Sequence, residues 1–345
     1  MKDPVLPSLT TTGIGSLPAE DATEGVDFVL QADLSVPFWP QLPQRNFLEG
    51  MVAQYSEGMP CVRIDHDREK MALEMDAKFD ELQEFYEHHL QGDTEYFALS
   101  ADFARGFHGF LETVDGRTWP VVKGQVTGPV TFSSSIKGSD GVPMFGDTEL
   151  RDASAKLLAH KAEWQMEKMQ HLADQSILMF VDEPVLAAFG TSAYAGLSEE
   201  DVAELEGVIF DAVTDAGGIT GIHVCGNSDW GMVARTGVQV LNFDAYQYGR
   251  TIALYPDAVS SLFDRGGCIA WGIVPTSRDV HDETADGLAE QLEGHVKNLA
   301  DKGFDEDTVW ERSILTPSCG TGSLRPQDAE RVFNLLAELQ QLLRG

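Results

Sequence analysis

The sequence predicts an α/β protein, a closed (β/α)₈ TIM barrel with an insertion between the second and third strands. Three observations predict it. Eight short apolar runs ending in Gly, Pro or a polar residue recur along the 345 residues. Longer amphipathic stretches separate most of them. No Pro/Ser-rich linker, internal repeat or low-complexity tract divides the chain, so residues 1–345 read as a single catalytic domain. Continuous apolar strands alternating with helices mark a parallel sheet covered on both faces, and eight such units match a closed barrel.

The eight runs are SLTTTGIGS (Ser8 to Ser16), DFVLQADLSVP (Asp27 to Pro37), TWPVVKGQVTG (Thr118 to Gly128), SILMFVDEP (Ser176 to Pro184), GITGIHVCG (Gly218 to Gly226), VQVLNFDAY (Val238 to Tyr246), GCIAWGIVP (Gly267 to Pro275) and SILTPSCG (Ser313 to Gly320). Helices are expected from Asp147 to Leu172, Ser198 to Ala216, Asp282 to Lys302 and Arg325 to Leu343. Ser198 followed by Glu199, Glu200 and Asp201 is a helix start, with acids where the macrodipole favours them. Between the second and third strands, Gln41 to Arg117 is too long for one crossover. It reads as an insertion carrying a helical run from Asp65 to His89.

Composition narrows the function. With 24 Lys+Arg against 56 Asp+Glu, the formal charge is −32, and such a surface repels a phosphate backbone. Nucleic acid is thereby excluded as a partner. The acids are spread along the whole chain, which fits a solvated, halophile-type surface better than a docking patch for a cationic partner. No window approaches 18 consecutive apolar residues, and the N-terminus lacks a basic and apolar leader pattern, so no membrane association and a cytoplasmic location are expected. Four cysteines (Cys61, Cys225, Cys268, Cys319) are too few for a disulfide scaffold.

In barrels of this class the active site lies at the C-terminal ends of the strands. Four runs end in polar or reactive residues: Asp182-Glu183, His223-Val-Cys225, Asp244 and Cys319. Residues i and i+2 of a strand point to the same side, so His223 and Cys225 present imidazole and thiol to one point. Alone, each is an ordinary strand-end residue. Together with Cys319 from the last strand and Asp244 from the sixth, they form a nitrogen, sulfur and oxygen set suited to Zn²⁺. The glycines beside Cys319 in SCGTG let backbone approach closely. Cys61 and Cys268 lack this placement and read as structural.

The strings TTTGIGSLP, VVKGQVTGPVTF, MFVDEPVL, IHVCG and TPSCG resemble, in order and over nearly the whole chain, the strand-end motifs of the catalytic C-terminal barrel of cobalamin-independent methionine synthase. The resemblance implies transfer of a methyl group to the thiol of homocysteine. It implies His223, Cys225 and Cys319 as zinc ligands, with Asp244 where the family has a Glu. It places Ile14 and Ser16 of GIGS, Asp182 and, in support, Glu183 at the amino-acid portion of the substrate. Gln44 falls near a family Glu with the same task. The family's general-acid His is replaced by Ser277, with His281 four residues further on.

Read as one barrel, the 345 residues are expected to leave no room for the second, N-terminal barrel that helps bind folate in the longer enzymes. With Ser277 at the acid position, this implies a methyl donor such as methylcobalamin or a corrinoid protein, whose cobalt leaves without a proton. A folate donor with His281 as the acid is the alternative. Methyl transfer to another thiol such as coenzyme M, a uroporphyrinogen decarboxylase-like activity and a non-catalytic barrel subunit are the remaining readings.

Overall fold

The computed structural model describes residues 2–194 and 196–345. In chain order the first half holds α1 (Ala22–Gln31), the hairpin β1 (Val62–Asp65) and β2 (Lys70–Leu73), α2 (Lys78–Gln91), α3 (Arg105–Val114), β3 (Trp119–Thr127), α4 (Pro129–Ser135) and α5 (Thr148–Met169). The second half continues with β4 (Ala173–Asp182), α6 (Glu199–Asp215), β5 (Ile219–Val224), α7 (Trp230–Arg235), β6 (Val240–Phe243), α8 (Ala245–Tyr248) and α9 (Pro256–Asp264). It ends with β7 (Cys268–Val274), α10 (Ala285–Ala300), α11 (Glu306–Glu311), β8 (Ser313–Pro317) and α12 (Pro326–Arg344). Strands β3 to β8 form one parallel sheet in sequential order, and the hairpin is separate and antiparallel. No helix among the described residues is long and apolar enough to cross a membrane.

The strand period of two sorts the sheet into two environments. Val122, Met179, Ile222, Leu241, Trp271 and Leu315 face the helices in the large core. Val121, Leu178, Phe180, Ile219, Val240, Cys268, Ala270 and Ile314 face inward as an apolar floor. Further along the same inward rows come Lys123 and Gln125, Asp182, His223, Asn242 and Thr316, all buried. Since the strands are parallel, this polar tier lies toward their C-terminal ends.

The helices start where the chain supplies caps. Asp147 accepts from the Glu149 and Leu150 amides at α5, Thr284 from Gly287 at α10, and Ser198 with Asp201 forms a reciprocal capping box at α6.

Six of the eight expected strands are strands, and the first two differ. Residues 27–31 of the expected second strand belong to α1, because Asp21 accepts from the Thr23 and Glu24 amides and Ala22, Gly25, Val26 and Val29 are buried at helical spacing. The expected first strand is extended but makes only isolated bridges, Thr11 to Leu315 and Ser16 to Gln41, while Phe38 bridges to Lys123. Val36 N donates to Thr11 O and Lys123 N to Pro37 O, so the two segments link the sheet edges β8 and β3. The helix expected from Asp65 begins only at Lys78. Ahead of it lies the hairpin, whose β2 alternates exposed and half-buried residues with the period of a strand.

Candidate metal centre

Register places the site. Across the parallel ladder Asp182 pairs with His223 and His223 with Asn242, so three inward side chains stand in one row. Cys225 follows His223 by two residues and faces the same way. Cys319 arrives from beyond β8, and the ligand atoms of His223, Cys225 and Cys319 lie within 4.8 Å of one another. The turn carrying Cys319 approaches the Ser16 segment closely. A Cβ on Gly322 would stand 2.7 Å from Pro43 Cγ and 2.8 Å from Ser16 Cβ, and one on Gly320 would collide with Ser16 Oγ. Both glycines are therefore required by space, as the SCGTG pattern suggested.

The hydrogen bonds of Asn242 fix the tautomer of His223. Asn242 Nδ2 donates to Ala270 O at 2.9 Å, a partner that can only accept, and also contacts Thr316 Oγ1 at 2.8 Å. Its oxygen must then accept from His223 Nδ1–H, 2.5 Å away. Nε2 is left with its lone pair, buried, with no nitrogen or oxygen partner and only the Cys225 and Cys319 thiols beside it. An imidazole nitrogen desolvated and unpaired beside two thiols fits a metal, and outer-shell groups of this kind orient metal-binding histidines. Asn242→Leu is expected to weaken zinc binding about 10–100-fold, the usual effect of losing an outer-shell partner, as read by competition with a chromogenic chelator.

Electrostatics agree with a thiolate-bearing site. The Cys319 thiol and then His223 stabilise the Cys225 thiolate, pulling its pKa down to about 4. Cys319 moves the opposite way, raised by its contact with Cys225 and by burial. Burial opposes charge on His223, but its contacts with Cys225 and Asp182 outweigh that and raise its pKa. Burial raises Asp182 to about 6 against the pull of His223 and Lys123, and its Oδ1 has no partner.

A cavity of about 270 Å³ opens over this cluster, lined by Ile14, Ser16, Asp182, His223, Cys225 and Cys319 among others. Six of the expected site residues thus share one cavity. Two further residues, Gln41 and Glu49, come from the insertion and were not anticipated. Glu49 is 1% exposed, ion-paired to Arg45 at 2.6 Å, and its Oε2 has no partner. In sequence the Arg45–Glu49 spacing looks like a surface i,i+4 pair, so nothing flagged it. Gln41 donates to Gln54 Oε1 at 2.8 Å and Tyr55 Oη at 3.2 Å. Because Gln54 donates to Phe103 O and Tyr55 to Gln125 O, both partners must accept from Gln41, leaving its carbonyl oxygen as an acceptor.

The other expected residues do not line the cavity. Gln44 Nε2 donates to Gly322 O at 2.8 Å and fastens the turn after Cys319. Glu183, the first residue past the end of β4, faces away from the cavity. It accepts from the Val130 and Thr131 amides and Thr131 Oγ1 at the start of α4. Asp244 caps α8, accepting from Gln247 N at 3.0 Å and Gln247 Nε2 at 2.9 Å, and stands outside the three-ligand group. Ser277 caps a short 3₁₀ turn, and half-exposed His281 contacts Asp328 Oδ1 at 2.9 Å on α12. Cys61 and Cys268 are buried away from the cluster, as expected.

No family model and no curated protein matches the sequence. Solved structures do match. A B12-independent methionine synthase from Shewanella sp. W3-18-1, in complex with selenomethionine, aligns over 98% of each chain with a TM-score of 0.62 and 12% identity. A putative vitamin-B12 independent methionine synthase from Listeria monocytogenes aligns over 94% of this chain and 86% of its own, with a TM-score of 0.53 and 12% identity. Over nearly its whole length, the chain has the α/β fold of the B12-independent methionine synthase structures.

Proposed function

We propose that the chain is a methyltransferase that transfers a methyl group to the thiol of homocysteine, giving methionine, with Zn²⁺ held by His223, Cys225 and Cys319. In this reading the chain is one catalytic (β/α)₈ barrel, the bridged segments around Thr11 and Phe38 standing in for its first two strands. One observation carries the functional reading. The unpaired His223 Nε2 and two cysteines share a cavity with three oxygens left to accept, those of Gln41, Glu49 and Asp182. An ammonium carries three N–H donors and no acceptor, and it compensates buried carboxylates that would otherwise be costly to desolvate. A small amino acid ending in a thiol brings both complements at once.

Asp182 and Glu49 hold the ammonium, Ser16 Oγ binds the carboxylate, and Asn242 keeps His223 in its ligating tautomer. Asp244 remains the cap of α8, so three protein ligands leave a fourth position open, the pattern of catalytic zinc. When bound, Zn²⁺ supplies the charge that lets a thiol lose its proton at neutral pH. The sulfur then attacks the methyl carbon in line. The new S–C bond forms as the bond from methyl to donor breaks, and that electron pair leaves with the donor.

The names of the two similar structures weigh against methylcobalamin and a corrinoid-protein partner, which the sequence resemblance implied. The donor is therefore proposed only as an electrophilic methyl carrier, and neither Ser277 nor His281 lines the cavity to protonate its leaving group. No Arg or Lys lines the cavity among the described residues, which disfavours a polycarboxylate substrate and with it a decarboxylase. The unpaired His223 Nε2 disfavours a silent barrel. An anaerobic assay of zinc-loaded protein with homocysteine, offering methylcobalamin and methyl-tetrahydrofolate separately, tests the reading, with coenzyme M as competing acceptor. Methionine from either donor supports it, and methylation of coenzyme M alone overturns it.

A further inference from the structure

Lys123 is a buried amine to which the proposed mechanism gives no task. It is fully buried beneath the cavity and does not line it. Its Nζ donates to Ile14 O at 2.5 Å and Gln125 Oε1 at 3.0 Å, and it stands 4.6 Å from the centroid of the Phe180 ring in the apolar floor. Fold alone does not need it, since neighbouring inward positions Val121 and Leu178 are filled by hydrocarbon and a buried ammonium is expensive to desolvate. What the lysine holds is the Ile14 carbonyl. The Ile14–Gly15 peptide is trans, so its N–H points opposite to its C=O, away from Lys123. Gly15 N–H donates to no backbone carbonyl among the described residues. On either side of it, Ile14 and Ser16 line the cavity.

We infer that Lys123 is a positioning residue for the carboxylate end of the substrate: by drawing the Ile14 carbonyl toward the floor, it turns Gly15 N–H toward the cavity beside Ser16 Oγ. This rests on the amino-acid thiol reading above. A carboxylate then receives a fixed backbone donor and a hydroxyl, while the lysine never touches the substrate.

The test compares homocysteine with 3-aminopropane-1-thiol, the same molecule without its carboxylate, on zinc-loaded full-length protein. In Lys123→Met, zinc content is expected to stay at that of the wild type. Kd and KM for homocysteine should rise about 10–100-fold, as for loss of a hydrogen bond to a charged group. The amine thiol, which feels the lysine only through its contact with Asp182, should weaken several-fold less than homocysteine, and Lys123→Arg should restore part of the loss. Equal weakening of both thiols, or of neither, overturns the inference. If Lys123→Met does not fold, the same ratio is read in Lys123→Arg, where a misplaced donor should weaken homocysteine selectively and an unchanged ratio overturns it. Wild-type protein that binds homocysteine calorimetrically but does not methylate it sinks the methyl-transfer reading while leaving this comparison intact. Binding of neither thiol sinks both.

Discussion

Cys225→Ser is expected to remove zinc and methionine formation together. A hydroxyl does not ionise at neutral pH as a thiol beside His223 and Cys319 does, so the substitution removes both a ligand atom and the negative charge that a dication requires. The loss of metal affinity should exceed the roughly 10–100-fold that follows from removing an outer-shell partner. Far-ultraviolet dichroism should be unchanged, because Cys225 lies just past the end of β5 and takes no part in its ladder. Zinc per chain, measured by plasma mass spectrometry beside turnover, decides it. A variant with wild-type zinc content would show that the cluster of His223, Cys225 and Cys319 is only packing.

Asp182→Asn is expected to separate substrate binding from metal binding. Its carboxylate is buried, has an unpartnered oxygen and shares the cavity with Glu49, so in the proposed reading its partner is the substrate ammonium. Replacing the charge with a neutral amide should weaken homocysteine use by about 1.5–3 kcal/mol, the range for hydrogen bonds to charged groups. That corresponds to a rise in KM of roughly 10–150-fold, with zinc content unchanged. An unaltered KM and kcat would mean that Asp182 serves only to finish β4.

Much of this was legible before the structure, and the failures have physical causes. Strands β3 to β8 were readable because each is a short apolar run between turn signals. The clustering of His223, Cys225 and Cys319 was readable because the strand period fixes His223 beside Cys225 and because reactive residues at C-terminal strand ends carry functional weight. The first two strands failed for different reasons: Thr10 to Thr12 pair only at isolated bridges, and the cap at Asp21 converts Asp27–Gln31 to helix. Asp244 was read as a ligand from its place at a strand end. That same place made it an N-cap, a task equally suited to a short carboxylate. Gln41 and Glu49 left no readable mark, because the insertion that carries them owes its position to tertiary packing.

The two walls of the cavity differ in how firmly they are held. His223 stands within a continuous ladder of four strands, whereas Ile14, Ser16 and Gln41 belong to segments fastened by single bridges and by contacts such as Thr321 N to Ser16 O. Opening energies follow the density of such bonds, so amide deuterium uptake around residues 10–16 and 36–41 should outpace that of β4 to β6. A ligand that bridges the walls must slow it, because only the closed form offers both ends of the molecule a partner. In the proposed reading, the wall of Ile14, Ser16 and Gln41 breathes to admit the thiol while the wall of His223 and Cys225 keeps its geometry, so that entry and chemistry become separable steps in time.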